Sequence, residues 1–211
     1  MKFILEFEHY RQHGGPIRNA RYGAHRPMRA GDSSDLLPVA FLLLAPAALF
    51  GADSQWVLGA STLSYLVSHP LHESVGVGHE ARGKGVCHAG QCDFLIAAPV
   101  KSFDSKDSNR DLHMLQVTRG GQFPMVTVRV LLPESELTSA TIHCDLEVQF
   151  AGQTARYKQV AFQREAHGSD IRITGTIPAT LADFKIDPPS LLAVPVKNDV
   201  PIKVEMTWRP M

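Results

Sequence analysis

From residue 53 to the C-terminus, apolar and polar side chains alternate in short runs, the period of a strand with one buried face. In residues 141–150, Ile142, Cys144, Leu146, Val148 and Phe150 fall on one face. Thr141, His143, Asp145, Glu147 and Gln149 fall on the other. The pattern returns near the C-terminus, where Ile202, Val204, Met206 and Trp208 oppose Lys203, Glu205, Thr207 and Arg209. Two further runs carry it: Val126, Val128, Val130 and Leu132, then Ile171, Ile173 and Ile177 with Gly175 between. Weaker runs predict strands near 56–59, 62–69, 74–82, 91–99 and 157–165.

Turn-forming residues separate the runs at Ala151-Gly152-Gln153, His167-Gly168-Ser169-Asp170 and Lys197-Asn198-Asp199. Connections this short make neighbouring strands antiparallel. Two stretches read as short helices: 109–117, with a cap at Ser108 or Asn109, and 179–184, after Pro178. Neither is long enough to cover a sheet face, so the strands must bury their apolar sides against one another. The expectation is an all-β, antiparallel fold of eight or nine strands, a sandwich or a closed barrel.

The first 52 residues differ. Residues 9–35 carry five arginines among Gly, His and Pro, without apolar periodicity. Residues 36–52 are uncharged and mostly apolar, ending in small residues around Ala45-Pro46-Ala47, with Pro38 and Pro46 interrupting. Basic residues before an apolar stretch predict a secretory signal over about 28–52, with Met28 as an alternative start. Asp32 and Asp35 stand against that pattern. The same apolar run, at the lower limit for crossing a bilayer, is otherwise a membrane anchor over 36–52 or a buried helix. The chain thus divides into an arm with its leader or anchor, 1–52, and a folded domain, 53–211.

Composition changes this picture little. Hydrophobic residues make up 44% and charged residues 20% of the 211, an ordinary globular balance. The 21 basic and 21 acidic side chains cancel. Nucleic-acid binders draw affinity from phosphate contacts and show a basic excess, so no nucleic-acid partner is expected. Cys87 and Cys92 flank a C-x4-C segment with a turn at Gly90. In an oxidising compartment this reads as a local disulfide; zinc is the alternative, with no second ligand pair in view. Cys144 is left over. Of the ten histidines, His69, His72, His79, His88 and His113 are irregularly spaced, and on strands His69 and His72 would face opposite sides. No metal is expected. Serines are frequent, but none lies in a G-x-S-x-G elbow, so a hydrolase is the least favoured reading.

Ser102 through Leu115 contains Arg110-Asp111-Leu112-His113 and is followed by Phe123-Pro124 opening a strand. This block resembles the centre of the YceI-like family, with its Arg-Asp-x-His element and aromatic-Pro pair. Ser61 through His69 resembles that family's first strand, and Gly175 through Ile186 its strand, crossover and Asp-Phe element. The similarity spans roughly 56–208. Val117 through Gln122, Lys185 in place of a common glycine, and the Cys87/Cys92 insertion depart from the family pattern. The resemblance implies a lipocalin-like barrel of about eight strands, exported to the periplasm or secreted, holding an isoprenoid, a quinone-like molecule or a similar long lipid.

An eight-stranded barrel has an interior that side chains just fill, or that holds one slender ligand. The residues expected to line it are Val128, Val130, Ile142, Leu146, Val148, Phe162, Ile173, Val204 and Met206. Taken alone they favour a dry packed core over a pocket; the resemblance reverses that preference. Arg110 and His113 are candidates for a polar head at the barrel mouth. The reading favoured over that one is structural: Arg110 pairs with Asp111, or Asp111 caps the short helix, and the group fixes a loop. The leading expectation is a non-enzymatic binder of a hydrophobic molecule, without a cofactor, in transient contact with a membrane. Its rival is a structural or stress-related interaction protein with a packed core. Neither reading sets an oligomeric state.

Overall fold

The computed structural model describes residues 53–191 and 194–211. The expected leader over 28–52 and anchor over 36–52 lie outside the described residues. In chain order the strands are β1 (Ser54–His69), β2 (His72–Gly78), β3 (Arg82–His88), β4 (Gln91–Pro99), β5 (Met125–Pro133) and β6 (Thr141–Phe150). They continue with β7 (Gln153–His167), β8 (Asp170–Ile177), β9 (Ser190–Leu191), β10 (Val194–Pro195) and β11 (Ile202–Pro210). Among the described residues one α-helix, α1 (Ser108–Val117), lies between β4 and β5, and short 3-10 turns occupy Val100–Ser102, Glu134–Thr138 and Ala182–Phe184.

Eight strands close into an antiparallel barrel in the order β1-β3-β4-β5-β6-β7-β8-β11, with β11 returning to β1. Closure removes the two free edge strands that an open sheet of this order would expose. Two hairpins use two-residue turns whose central residues both have positive φ: Ala89 (50°) with Gly90 (80°), and Ala151 (51°) with Gly152 (76°). That conformation matches the twist of the flanking strands and favours glycine.

β2 and β3 are two lengths of one interrupted strand. Along β1 they keep a single register, with His69 opposite His72, Leu63 opposite Gly78 and Val57 opposite Lys84. β3 goes on to pair with β4, whereas the outer edge of β2 meets the chain again at Asp104, opposite Val77. The separate strands expected at 56–59 and 62–69 are therefore one strand with a bulge between Leu58 and Ala60. The strand expected at 74–82 is instead broken after Gly78, and β3 lies beyond it.

Alternate side chains of each strand point inward, and the buried residues form one cluster that includes Phe94, Ile142, Leu146, Val148, Phe162, Val204, Met206 and Trp208. The outer face is charged. Asp93 with Arg129, Glu147 with Arg156, and Glu205 with Arg172 pair across neighbouring strands. A membrane-spanning barrel has the reverse polarity, an apolar outer band. The cross-strand disulfide Cys87–Cys92 forms beneath the β3–β4 turn, and both sulfurs are buried.

Candidate functional site

The barrel interior is a cavity of ≈ 530 Å³ with an almost wholly apolar lining. A core packed to ordinary protein density has few voids larger than a water. This one does not fill because several of its rings lie along the wall. Phe94 on β4 faces Gly85 on β3, and Phe162 on β7 faces Gly175 on β8. Tyr65 on β1 likewise faces Gly76 on β2. In each pair a Cβ added to the glycine would collide with the ring. Each ring thus occupies the space of a missing side chain instead of projecting across the lumen.

All nine strand residues expected to line the interior do so: Val128, Val130, Ile142, Leu146, Val148, Phe162, Ile173, Val204 and Met206. Arg110 and His113 border the same cavity from α1. The structure adds residues the sequence did not single out as lining, among them Tyr65, Phe94, Phe103, Phe184 and Trp208. Several of these sit on strands with weak alternation or on connections, where periodicity carries no signal.

Polar side chains gather at one end of the cavity, the mouth, where β1 turns into β2 and where α1 and residues of 178–191 and 194–201 border it. Asp107 caps α1, accepting the amide hydrogens of Asn109 (3.0 Å) and Arg110 (3.1 Å). Chiefly the Arg110 amide bond, helped by that of Asn109, holds its carboxyl below the usual carboxylate range. The cap is therefore Asp107, not the expected Ser108 or Asn109. Asp111 does not cap the helix either; it accepts the Ser105 amide hydrogen at 3.0 Å and so anchors the preceding loop. Nor does Arg110 pair with Asp111. Its Nη1 donates to Ser74 Oγ at 2.8 Å and its Nη2 lies 3.5 Å from Asp107 Oδ2. One guanidinium thereby joins α1 to β2 beside the opening.

His69 and His72 do not face opposite sides. A tight turn separates them, so they are direct partners across the hairpin, both border the cavity, and their rings lie 5.4 Å apart. His69 Nδ1 accepts the Leu71 amide hydrogen (3.2 Å), which leaves the ring proton on Nε2 to donate to the Val194 carbonyl (3.2 Å). This one imidazole fixes the β1–β2 turn to the β9–β10 segment. Tyr65, nearby, has its hydroxyl pKa raised, mainly by burial and next by the charge of Asp111, against the opposing effect of Arg110. Across the mouth, Tyr157 donates to Asp183 Oδ2 at 2.7 Å, which also accepts the Thr180 amide hydrogen at 2.8 Å. Burial and that hydrogen bond push the Tyr157 hydroxyl pKa up, so it stays a donor.

This arrangement can enclose one slender apolar molecule and leave a polar end among Tyr65, His72, Ser74, Arg110 and His113. Among the described residues no group of three or more His, Cys, Asp or Glu side chains is placed to hold a metal ion.

No protein-family model matches the chain. No curated protein matches it. Solved structures do. A polyisoprenoid-binding domain from Saccharophagus degradans, implicated in plant cell wall breakdown, is 14% identical with a TM-score of 0.58, covering 74% of this chain and 98% of that one. BcnA of Burkholderia cenocepacia is 14% identical with a TM-score of 0.57, covering 70% of this chain and 95% of that one. The chain thus has the fold of these two proteins, a closed antiparallel barrel such as the resemblance to YceI-like proteins implied.

Proposed function

We propose that this chain is an exported, non-enzymatic carrier that encloses a long apolar lipid, an isoprenoid or a molecule of that kind, inside its barrel. The observation that carries the proposal is the ≈ 530 Å³ apolar cavity, open beside a small polar group, in a barrel whose outside is charged. Burying hydrocarbon yields roughly 25 cal/mol per Å². A long chain therefore gains much, offset by the cost of ordering it. The BcnA and polyisoprenoid-binding folds support the same reading, and the second of those proteins is described as binding polyisoprenoids. In this reading Arg110 and His113 meet the head group, and the nine strand residues named above meet the chain.

Export is part of the proposal. It rests on the arginine-rich and apolar pattern ending near residue 52, and on a disulfide, a bond that persists in oxidising compartments. The alternative of a membrane anchor at 36–52 places the same barrel at a membrane surface. Transient membrane contact fits the exposed side chains of Leu71 and Val194, both held to His69 at the mouth.

The test is to purify the protein, extract it with organic solvent, and identify any co-purifying lipid by mass spectrometry. Delipidated protein is then heated with and without long-chain isoprenols. A bound lipid and a raised melting temperature are expected, since a ligand at about 100 times its Kd adds roughly 2.7 kcal/mol. No extractable lipid together with no thermal response would overturn the proposal.

A further inference from the structure

We infer that the lipid passes between the lumen and a bilayer sideways, through a seam in the wall between β2 and α1. This rests on the carrier reading and names the route into that same site. Every strand of the ring has a hydrogen-bonded neighbour on each side; β2, which continues the wall beside β1, has a strand neighbour on one side only. Val77 exchanges two backbone bonds with Asp104, at 3.0 and 2.9 Å, so its N–H and C=O point away from β1. Those of Val75 and Glu73, at alternate positions, point the same way. Among the described residues no hydrogen bond reaches them.

Beside this gap stands α1. Arg110, His113 and Met114 of the helix and His72 and Ser74 of β2 border the cavity, so both banks of the seam open onto the lumen. One hydrogen bond crosses it, from Arg110 Nη1 to Ser74 Oγ, and among the described residues α1 makes no other to a strand. The connection after β8 is fastened more firmly. Lys197 donates its amide hydrogen to the Ser68 carbonyl (2.8 Å), Leu66 donates to Pro201 (3.3 Å), and Asp183 holds Tyr157. Parting laddered strands breaks a row of backbone bonds, whereas parting the seam breaks one side-chain bond and apolar contact. The seam is the weakest part of the wall.

A long isoprenoid resides in membranes, because its apolar surface keeps it out of water. Its route therefore starts at a bilayer. Leu71 on the β1–β2 turn, Val75 on β2 and Leu112 on α1 are large apolar side chains left exposed, and none borders the cavity. They stand on the elements that flank the seam, and such side chains suit the boundary between head groups and hydrocarbon. The unpaired backbone groups of Glu73 and Val75 keep the β2 edge at the level of the head groups, since hydrocarbon would leave them unsatisfied.

The experiment mixes delipidated full-length protein with phosphatidylcholine vesicles carrying geranylgeraniol and follows protein-bound lipid with time; release is followed from loaded protein into empty vesicles. Ser74→Ala should speed uptake and release together, several-fold. Ser74→Asp, which turns the latch into an ion pair with Arg110, should slow both, and added salt should restore part of the rate. A lost head-group contact would instead raise release alone. Val75→Ser with Leu112→Ser should slow uptake from vesicles several-fold and leave uptake of geraniol from water unchanged. Asp183→Ala, which frees the connection after β8, should leave both rates as they are. The route is overturned, with the carrier reading still standing, by any of three results: Ser74 variants that keep the wild-type rates or change release alone, Asp183→Ala speeding exchange as much as Ser74→Ala, or vesicle uptake indifferent to the Val75 and Leu112 substitutions. If wild type takes up neither lipid, the carrier reading fails and the route with it.

Discussion

Tyr65 lies over Gly76, its partner across β1 and β2, in the space that any side chain at residue 76 would need. The ring borders the cavity from the wall and packs tilted against Phe103, with centroids 5.8 Å apart and planes at 44°; Phe103, from the segment after β4, borders the same cavity. Gly76→Ala should displace the ring into the mouth. Overpacking of this kind costs about 1–3 kcal/mol. Chemical denaturation gives the stability change, and the rate of lipid entry should fall with it. An unchanged denaturation midpoint would show that the ring has another place to go.

Removing the Cys87–Cys92 link, by Cys87→Ala with Cys92→Ala, should cost about 2 kcal/mol, because the loop it closes is short and little chain entropy is at stake. For a domain of this size that corresponds to roughly 4–8 °C in Tm. Dithiothreitol on the wild type should reproduce the shift. A loss several times larger would mean that the buried sulfurs contribute mainly by packing against Leu132 and its neighbours.

Asp107→Ala should loosen the first turn of α1, since its carboxylate accepts two otherwise unpaired amide hydrogens and lies beside Arg110. Hydrogen exchange of residues 109–111 should quicken several-fold while the barrel strands keep their protection. Ser108→Ala should leave these amides as they are. Equal effects from both variants would move the cap from Asp107 to Ser108.

How much of this was legible in the sequence follows from where the inward positions carry apolar side chains. β6 and β11 were readable because each inward residue is a Val, Leu, Ile, Met, Cys or aromatic, and the lining residues on them followed by counting in twos. β3 was not readable because two of its inward residues are Gly83 and Gly85, whose apolar cover comes from Trp208 and Phe94 on other strands. β1 read as two pieces because the bulge after Leu58 exchanges the faces. The mouth was least accessible. Arg110 was noticed for its motif, but its partner Ser74 is 36 residues away and unmarked by any pattern.

Asp183 joins the connection after β8 to the barrel wall through Tyr157, and within that connection it accepts the Thr180 amide hydrogen. Burial raises its pKa, but the Tyr157 and Thr180 hydrogen bonds outweigh that and hold it below the ordinary carboxylate value. A carboxyl depressed on folding stabilises the fold above its unfolded pKa, and that contribution is lost as pH falls through the folded value. The contact should therefore weaken in acid, below about pH 4. Because Asp183 is largely in water, the effect is about 1 kcal/mol or less. Tyr157→Phe should remove much of this acid sensitivity from the melting temperature. A wild-type and a Tyr157→Phe curve that fall in parallel would assign the acid sensitivity to other carboxylates.

Cys144 gives a direct view of the lumen. Its side chain points inward from β6 and borders the cavity, 3% exposed, with the thiol 3.8 Å from the Val160 carbonyl oxygen. Burial, followed by the nearby charges of Asp145 and Glu136, pushes its pKa up to about 12. The thiolate is the reactive form, so at pH 8 the thiol stays almost wholly protonated and unreactive. Native protein should label slowly even with a small apolar thiol reagent that can enter the barrel, and denatured protein should label fast. A lipid chain in the lumen covers the same wall, so adding a long isoprenol should slow the native reaction further, in proportion to occupancy. A labelling rate indifferent to isoprenol, in protein shown to bind it, would place the chain away from β6.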